Sequence, residues 1–138
     1  MTQSLFIDTG AFYARYVARD AHHAGAVKTW REIATRGVAC LTTNFVVAEL
    51  ITLLSYRINA KGGLQVAREI YGSHRLDVFS VTREIEISAL EWLERFADQA
   101  FSMTDAVSFA VMTARKLETA FTFDHHFAIA GFRAYTTA

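Results

Sequence analysis

Short apolar runs alternate with longer amphipathic stretches along most of this chain. Leu5-Phe6-Ile7 is an unbroken apolar triplet closed by Asp8-Thr9-Gly10, the form of a buried strand, and a helix is expected over residues 11–18. Helical periodicity resumes at residues 21–35 and is stopped by Gly37, after which residues 38–41 predict a second strand. Thr42-Thr43-Asn44 offers N-cap side chains to a third helical segment, with Phe45, Val46, Ala48, Leu50, Ile51, Leu53 and Leu54 on its apolar positions, running to about residue 59. Gly62-Gly63 is expected to separate it from a helix at 65–71.

The second half repeats the pattern. A third strand is expected at 76–81 and a helix at 82–97, opened by Thr82 with Glu84 and Glu86 where acids favour the helix dipole. Ser102-Met103-Thr104-Asp105 is a capped start to a helix whose body is 106–117, followed by a strand at 119–123, a short helix at 125–130 and a fifth strand at 132–135. Brief apolar strands alternating with helices predict an α/β fold: a parallel sheet of about five strands with helices on both faces. Two helical connections separate the second strand from the third, enough to build a projecting arm.

Composition sharpens this reading. The 138 residues suit one domain spanning 1–138, and 52% hydrophobic content is ample for a single core. No apolar run approaches the roughly 20 residues of a membrane span, and the first residues have no basic region followed by a long apolar one, so a soluble, cytoplasmic protein is expected. The single cysteine, Cys40, lies in an apolar run and excludes an internal disulfide; it is expected to be a buried, inert thiol. Fourteen basic residues balance fourteen acidic ones, so any binding to nucleic acid must come from a local patch. Zero prolines suits a helix-rich chain.

The candidate chemistry lies in acids at the ends of elements. Asp8 follows the first strand directly and Asp124 follows the fourth, in "FTFDHHF". If the first strand is central and the chain later crosses to its other side, these two flank the reversal of winding where open parallel sheets bind ligands. Glu49, about five residues into the third helix, and Asp105, in the first turn of another, can turn toward the same end. Like charges so close either raise their pKa values or require a cation, and oxygen-only ligands suit Mg²⁺ or Mn²⁺. A purely structural alternative also fits: Asp8 and Asp124 as N-caps, Asp105 supporting a helix dipole, Glu49 solvated.

Four segments, "LFIDTGAFYA", "TTNFVVAEL", "SMTDAVSFAVM" and "FTFDHHFAIAGF", resemble the successive motifs of the PIN-domain family, especially its VapC-like toxin ribonucleases, over nearly the whole chain and in order. The resemblance implies a PIN fold, dependence on Mg²⁺ or Mn²⁺, and cleavage of single-stranded RNA to leave a 5′ phosphate and a 3′ hydroxyl. It assigns the catalytic, metal-holding carboxylates to Asp8, Glu49, Asp105 and Asp124, none of them replaced. It also implies a homodimer and a small antitoxin reaching the acidic pocket across the apolar stripe from Phe45 to Leu54, for which core packing is the alternative. Asp8 and Asp105 are the first choices for direct ligands.

Around these acids, Thr9, Thr43, Thr104 and Thr122 are candidates to orient the carboxylates. Neighbouring helical residues diverge by about 100°, so His125 and His126 are not expected to share one ion with Asp124. Arg15, Arg19, Arg57, Lys61, Arg68, Arg115 and Lys116 are candidate phosphate contacts, and Phe12, Tyr13, Tyr16 and Tyr56 candidate base-stacking rings, with core packing the alternative for the aromatics. Two other functions stay open: a non-catalytic RNA- or protein-binding PIN relative, and a Mg-dependent phosphatase or phosphoacceptor domain. Asp8 lacks the neighbouring acid and the later Lys that the second would normally use.

Overall fold

The structure, a computed structural model, describes residues 4–135; Met1 to Gln3 and Thr136 to Ala138, the two ends of the 1–138 domain expected above, lie outside the described residues. Its strands are β1 (Leu5–Ile7), β2 (Cys40–Thr43), β3 (Leu76–Phe79), β4 (Thr119–Phe121) and β5 (Arg133–Ala134). Its helices are α1 (Thr9–Tyr16), α2 (His23–Arg36), α3 (Asn44–Arg57), α4 (Ala60–Gly72), α5 (Arg83–Arg95), α6 (Met103–Ala114) and α7 (His126–Ile129). All pairings are parallel and the order is β3-β2-β1-β4-β5. The chain therefore winds outward from β1 through β2 to β3, then returns to the other side of β1 as β4. The expected reversal lies between β1 and β4.

Alternation along the strands divides the core between two helical layers. Phe6 of β1 meets Phe127 of α7 at 6.5 Å between centroids, whereas Phe121 of β4 meets Trp30 of α2 at 5.3 Å. Phe109 of α6 packs edge-on against Phe127 at 4.9 Å, so aromatic contacts link α6 and α7 to β1. Phe6, Ile7, Phe109, Phe121 and Phe127 are essentially inaccessible.

Several boundaries differ from the pattern-based expectation, each for a local reason. β2 begins at Cys40, not Val38, and takes in Thr42 and Thr43, which are fully buried. Thr42 tolerates this because its hydroxyl donates to the Ile7 carbonyl at 2.8 Å, and Thr43 because its hydroxyl accepts from the Val46 amide and caps α3. β4 ends at Phe121 rather than Phe123, because the Thr122 hydroxyl accepts from the Asp124 amide at 3.0 Å and bends the chain.

The Gly62-Gly63 pair is not a break. Both glycines lie inside α4, and the interruption falls earlier, at Asn59, whose side chain accepts from the Gly62 amide at 2.7 Å. Gly63 is there because α3 comes close: a Cβ would stand 2.9 Å from Ser55 Oγ and 3.1 Å from the Ile51 carbonyl. Gly37 does act as a stop, closing α2 at φ 64°. Within α3, Val46, Val47, Leu50 and Leu54 are buried, so core packing accounts for most of the apolar stripe, while Leu53 is left exposed.

Candidate active site

Where β1 and β4 end, the chain turns into α1 and toward α7, and a crevice of about 690 Å³ opens there. Asp8, Glu49, Asp105 and Asp124 all line it, brought from the exit of β1, from α3, from α6 and from the exit of β4. The β1–β4 pairing carries two of them together, since the Asp8 amide donates to the Phe121 carbonyl at 3.1 Å.

Asp8 is the most constrained of the four. It is only 5% exposed and occupies the N-cap position of α1, yet its side chain makes no capping hydrogen bond. Its Oδ2 instead accepts from the Thr122 hydroxyl at 2.9 Å. Burial pushes its pKa up to about 7, opposed by that hydrogen bond and the neighbouring Thr9 backbone, and reinforced by the negative charges of Asp105 and Asp124. Thr122 connects two acids, because the hydroxyl that donates to Asp8 accepts from the Asp124 amide.

For Asp105 the structural alternative is realised as well. It is the third residue of α6 and forms a reciprocal capping box with Ser102: the Asp105 amide donates to Ser102 Oγ at 3.0 Å, and Asp105 Oδ2 accepts from the Ser102 amide at 3.2 Å. The cap is thus Ser102, and Thr104 does not serve in that role. Asp105 Oδ2 also lies 3.3 Å from His126 Nδ1, while Asp124 Oδ1 accepts from the His126 amide at 2.9 Å. His126 therefore braces two acids, Asp105 through its ring and Asp124 through its backbone amide. Thr104 lies beside Glu49 in an adjoining hollow, and Thr43 serves α3 only.

The expected divergence of His125 and His126 does not hold. His125 precedes α7 and its ring is 4.6 Å from that of His126, so ligand atoms of Asp124, His125 and His126 all lie within 4.8 Å of one another. Of the basic candidates, Arg19 and Arg57 line the crevice, whereas Arg15 stacks on Tyr16 and Trp30 and Arg115 on Phe79. Tyr13 lines the crevice; Phe12 is core. Pattern reasoning missed Asp20 and His22, which reach the crevice from the loop between α1 and α2, a segment with no strand exit to signal it.

A divalent cation suits this donor set. Among the described residues, the ion-pairing groups beside Asp105 and Asp124 are the imidazoles of His125 and His126, which carry charge only when protonated, and not Lys or Arg; Asp8 bears the cost of burial with only hydrogen bonds to offset it. Thr9 Oγ1, on the crevice wall, is a buried hydroxyl with no hydrogen-bond partner among the described residues.

Residues 5–133 match the PIN-domain model. The chain belongs to the PIN-domain family. This PIN domain is 36% identical over 128 residues to the 23S rRNA-specific endonuclease VapC20 of Mycobacterium tuberculosis, covering 93% of this chain and 95% of that one. It is 32% identical over 115 residues to a VapC ribonuclease of Archaeoglobus fulgidus, covering 81% and 72%. The crystal structure of M. tuberculosis VapC20, a sarcin-ricin-loop-cleaving toxin, superposes with a TM-score of 0.89 at 34% identity, over 97% of this chain and 100% of that one. VapBC2 from Rickettsia felis, bound to a promoter DNA fragment, shares the fold at a TM-score of 0.68 and 15% identity, over 96% and 98%. With named VapC ribonucleases matching along most of its length, this is a VapC-like PIN domain, and the phosphoacceptor alternative falls away.

Proposed function

We propose that this VapC-like ribonuclease is a Mg²⁺- or Mn²⁺-dependent endonuclease acting on single-stranded RNA regions, and the toxin of a type II toxin-antitoxin pair. The observation that carries the proposal is the meeting of four carboxylates from four elements in one crevice, with Asp8 buried among them. Asp8 and Asp105 would hold the cation directly, with Asp124 and Glu49 binding it directly or through water. When bound, such an ion supplies Lewis-acid stabilisation of the phosphate and a water of lowered pKa. Thr122 keeps the Asp8 carboxylate turned toward the site, and His126 does the same for Asp105 and Asp124. Glu49, on the more open α3 wall, positions the water that attacks phosphorus in line. The P–O3′ bond breaks as the water gives up a proton and the departing O3′ takes one up, leaving a 5′ phosphate and a 3′ hydroxyl.

No helix among the described residues is long and apolar enough to cross a membrane; the site of action proposed is the cytoplasm. The chain works as a single domain and a homodimer, held in check by an antitoxin. Support for the antitoxin comes from relatives: one of the structural neighbours is a VapBC complex. Incubating purified protein with total cellular RNA in Mg²⁺, in Mn²⁺ and in EDTA, with mapping of cut ends, tests the activity. Discrete cuts that require the metal and vanish in Asp8→Asn are expected; retention of RNA without cutting, in every condition, would replace the enzyme with a binding module.

A further inference from the structure

Besides its carboxylates, the crevice carries an aromatic plate made of two rings stacked face to face. His22 and Phe123 stack with centroids 4.3 Å apart and ring planes within 10° of parallel, and both line the crevice. Each is held from behind. Phe123 stands edge-on to Phe121 of β4 at 5.7 Å and 70°. The His22 amide donates to Asp20 Oδ2 at 2.9 Å, and its neighbour His23 is tied through Nδ1 to the Ala14 carbonyl at 2.7 Å. Phe123 nonetheless remains 38% exposed, so a large ring at a strand exit is presented to solvent rather than committed to the core.

The charge in the crevice limits what else can hold a strand there. Among the described residues lining the crevice, five carboxylates, Asp8, Asp20, Glu49, Asp105 and Asp124, meet two guanidinium groups, Arg19 and Arg57, and the imidazoles of His22 and His125. A phosphodiester chain gains little from that balance beyond the metal itself, so further hold on a strand must come from its uncharged part. Aromatic plates provide this by stacking on a base, with little regard for sequence. Phe123 directly precedes Asp124, about 3.8 Å away along the backbone, and both line the crevice, so the plate adjoins the acids.

We infer that the His22–Phe123 stack is the base-stacking site for the nucleotide flanking the scissile phosphate, which makes the substrate an RNA whose base at the cut is splayed out of any helix. The inference rests on the ribonuclease reading above. His22 and Phe123 are positioning residues: they fix the strand's register and take no part in the bond change.

The test uses the full chain in EDTA and an oligoribonucleotide spanning a mapped cut, with 2-aminopurine on either side of it in turn. Stacking should quench the fluorophore at one of the two positions. Phe123→Ala and His22→Ala should lose the quench and, with metal present, raise KM about 5- to 100-fold while kcat stays within about twofold. Phe123→Tyr and His22→Phe should restore both. Asp8→Asn, in contrast, should keep the quench while losing cleavage. An unchanged quench and KM in the alanine variants would overturn the plate while leaving the nuclease in place, as would a fall in kcat alone. That result is also expected if the plate serves an aromatic side chain of a protein partner. Failure to find any metal-dependent cut would sink both readings.

Discussion

Two hollows lie near the sheet, and their contrast shows what marks a site. One, of about 260 Å³, sits where β2 and β3 begin, walled by the last turns of α2 and α4 and by Phe12, Tyr16, Trp30 and Cys40. Its charges are accommodated: Arg15 lies over Tyr16 and Trp30, Arg75 donates to the Ala34 carbonyl at 2.8 Å, and the Tyr16 hydroxyl donates to Glu69 at 3.4 Å. The other, where β1 and β4 end, holds among the described residues five carboxylates against two arginines and two imidazoles, a buried acid held near neutrality, and a buried hydroxyl with no partner. Both are concave and partly aromatic. Unbalanced charge distinguishes the second.

The sharpest way to break this contrast is to neutralise an acid at one end and a charge at the other. Asp8→Asn and Asp105→Asn should lower the rate of metal-dependent RNA cleavage by at least about 100-fold, the scale seen when one preorganised electrostatic group is removed. Glu69→Gln and Arg75→Ala should leave it within about twofold. Comparable losses at both ends would dissolve the distinction.

Stability should move the other way. The Asp8 carboxyl titrates near 3.8 when unfolded and near 7 when folded, so between those values the folded state binds more protons and loses stability as pH rises. A rise of about three in pKa, at about 1.4 kcal/mol for each, sets a deficit of up to about 4 kcal/mol above pH 7 in metal-free protein. Denaturant melts in EDTA should therefore find Asp8→Asn more stable than the parent at pH 8, with the gap closing below pH 4. A variant no more stable at pH 8 would mean that burial of Asp8 carries no such strain.

Thr122→Val should cost about 10- to 100-fold in metal affinity or activity, as expected for a group that orients a ligand. Its loss leaves Asp8 Oδ2 without its donor and the Asp124 amide without its acceptor. A silent substitution there would show that the turn holds both acids without the hydroxyl. The smallest effect belongs to Cys40, whose thiol pKa burial pushes up to about 11. It should resist alkylation at pH 8 in the native state and react once denatured; rapid native labelling would show that the hollow at the start of β2 opens.

Much of this was legible in the chain because the strand-exit acids carry their own context. An apolar triplet cut off by Asp8, and a second run ending at Asp124, predicted both strands, their adjacency following only if the first was central, and "SMTD" announced a cap that the structure supplies through Ser102 and Asp105. Gly62-Gly63 misled because a glycine pair signals either a loop or a close helix contact, and only the proximity of α3 decides between them. His22 and Phe123 were invisible as a pair, since 101 positions separate them and stacking leaves no periodic trace. The orphaned Thr9 hydroxyl, likewise, exists only once the walls around it close.

Titration of the protein with Mn²⁺, followed by the loss of the free ion's electron paramagnetic resonance signal, tests the central claim most directly. Wild-type protein should bind the ion, and Asp8→Asn or Asp105→Asn should abolish or greatly weaken binding without loss of helical circular dichroism. Equal binding by all three proteins would contradict the account.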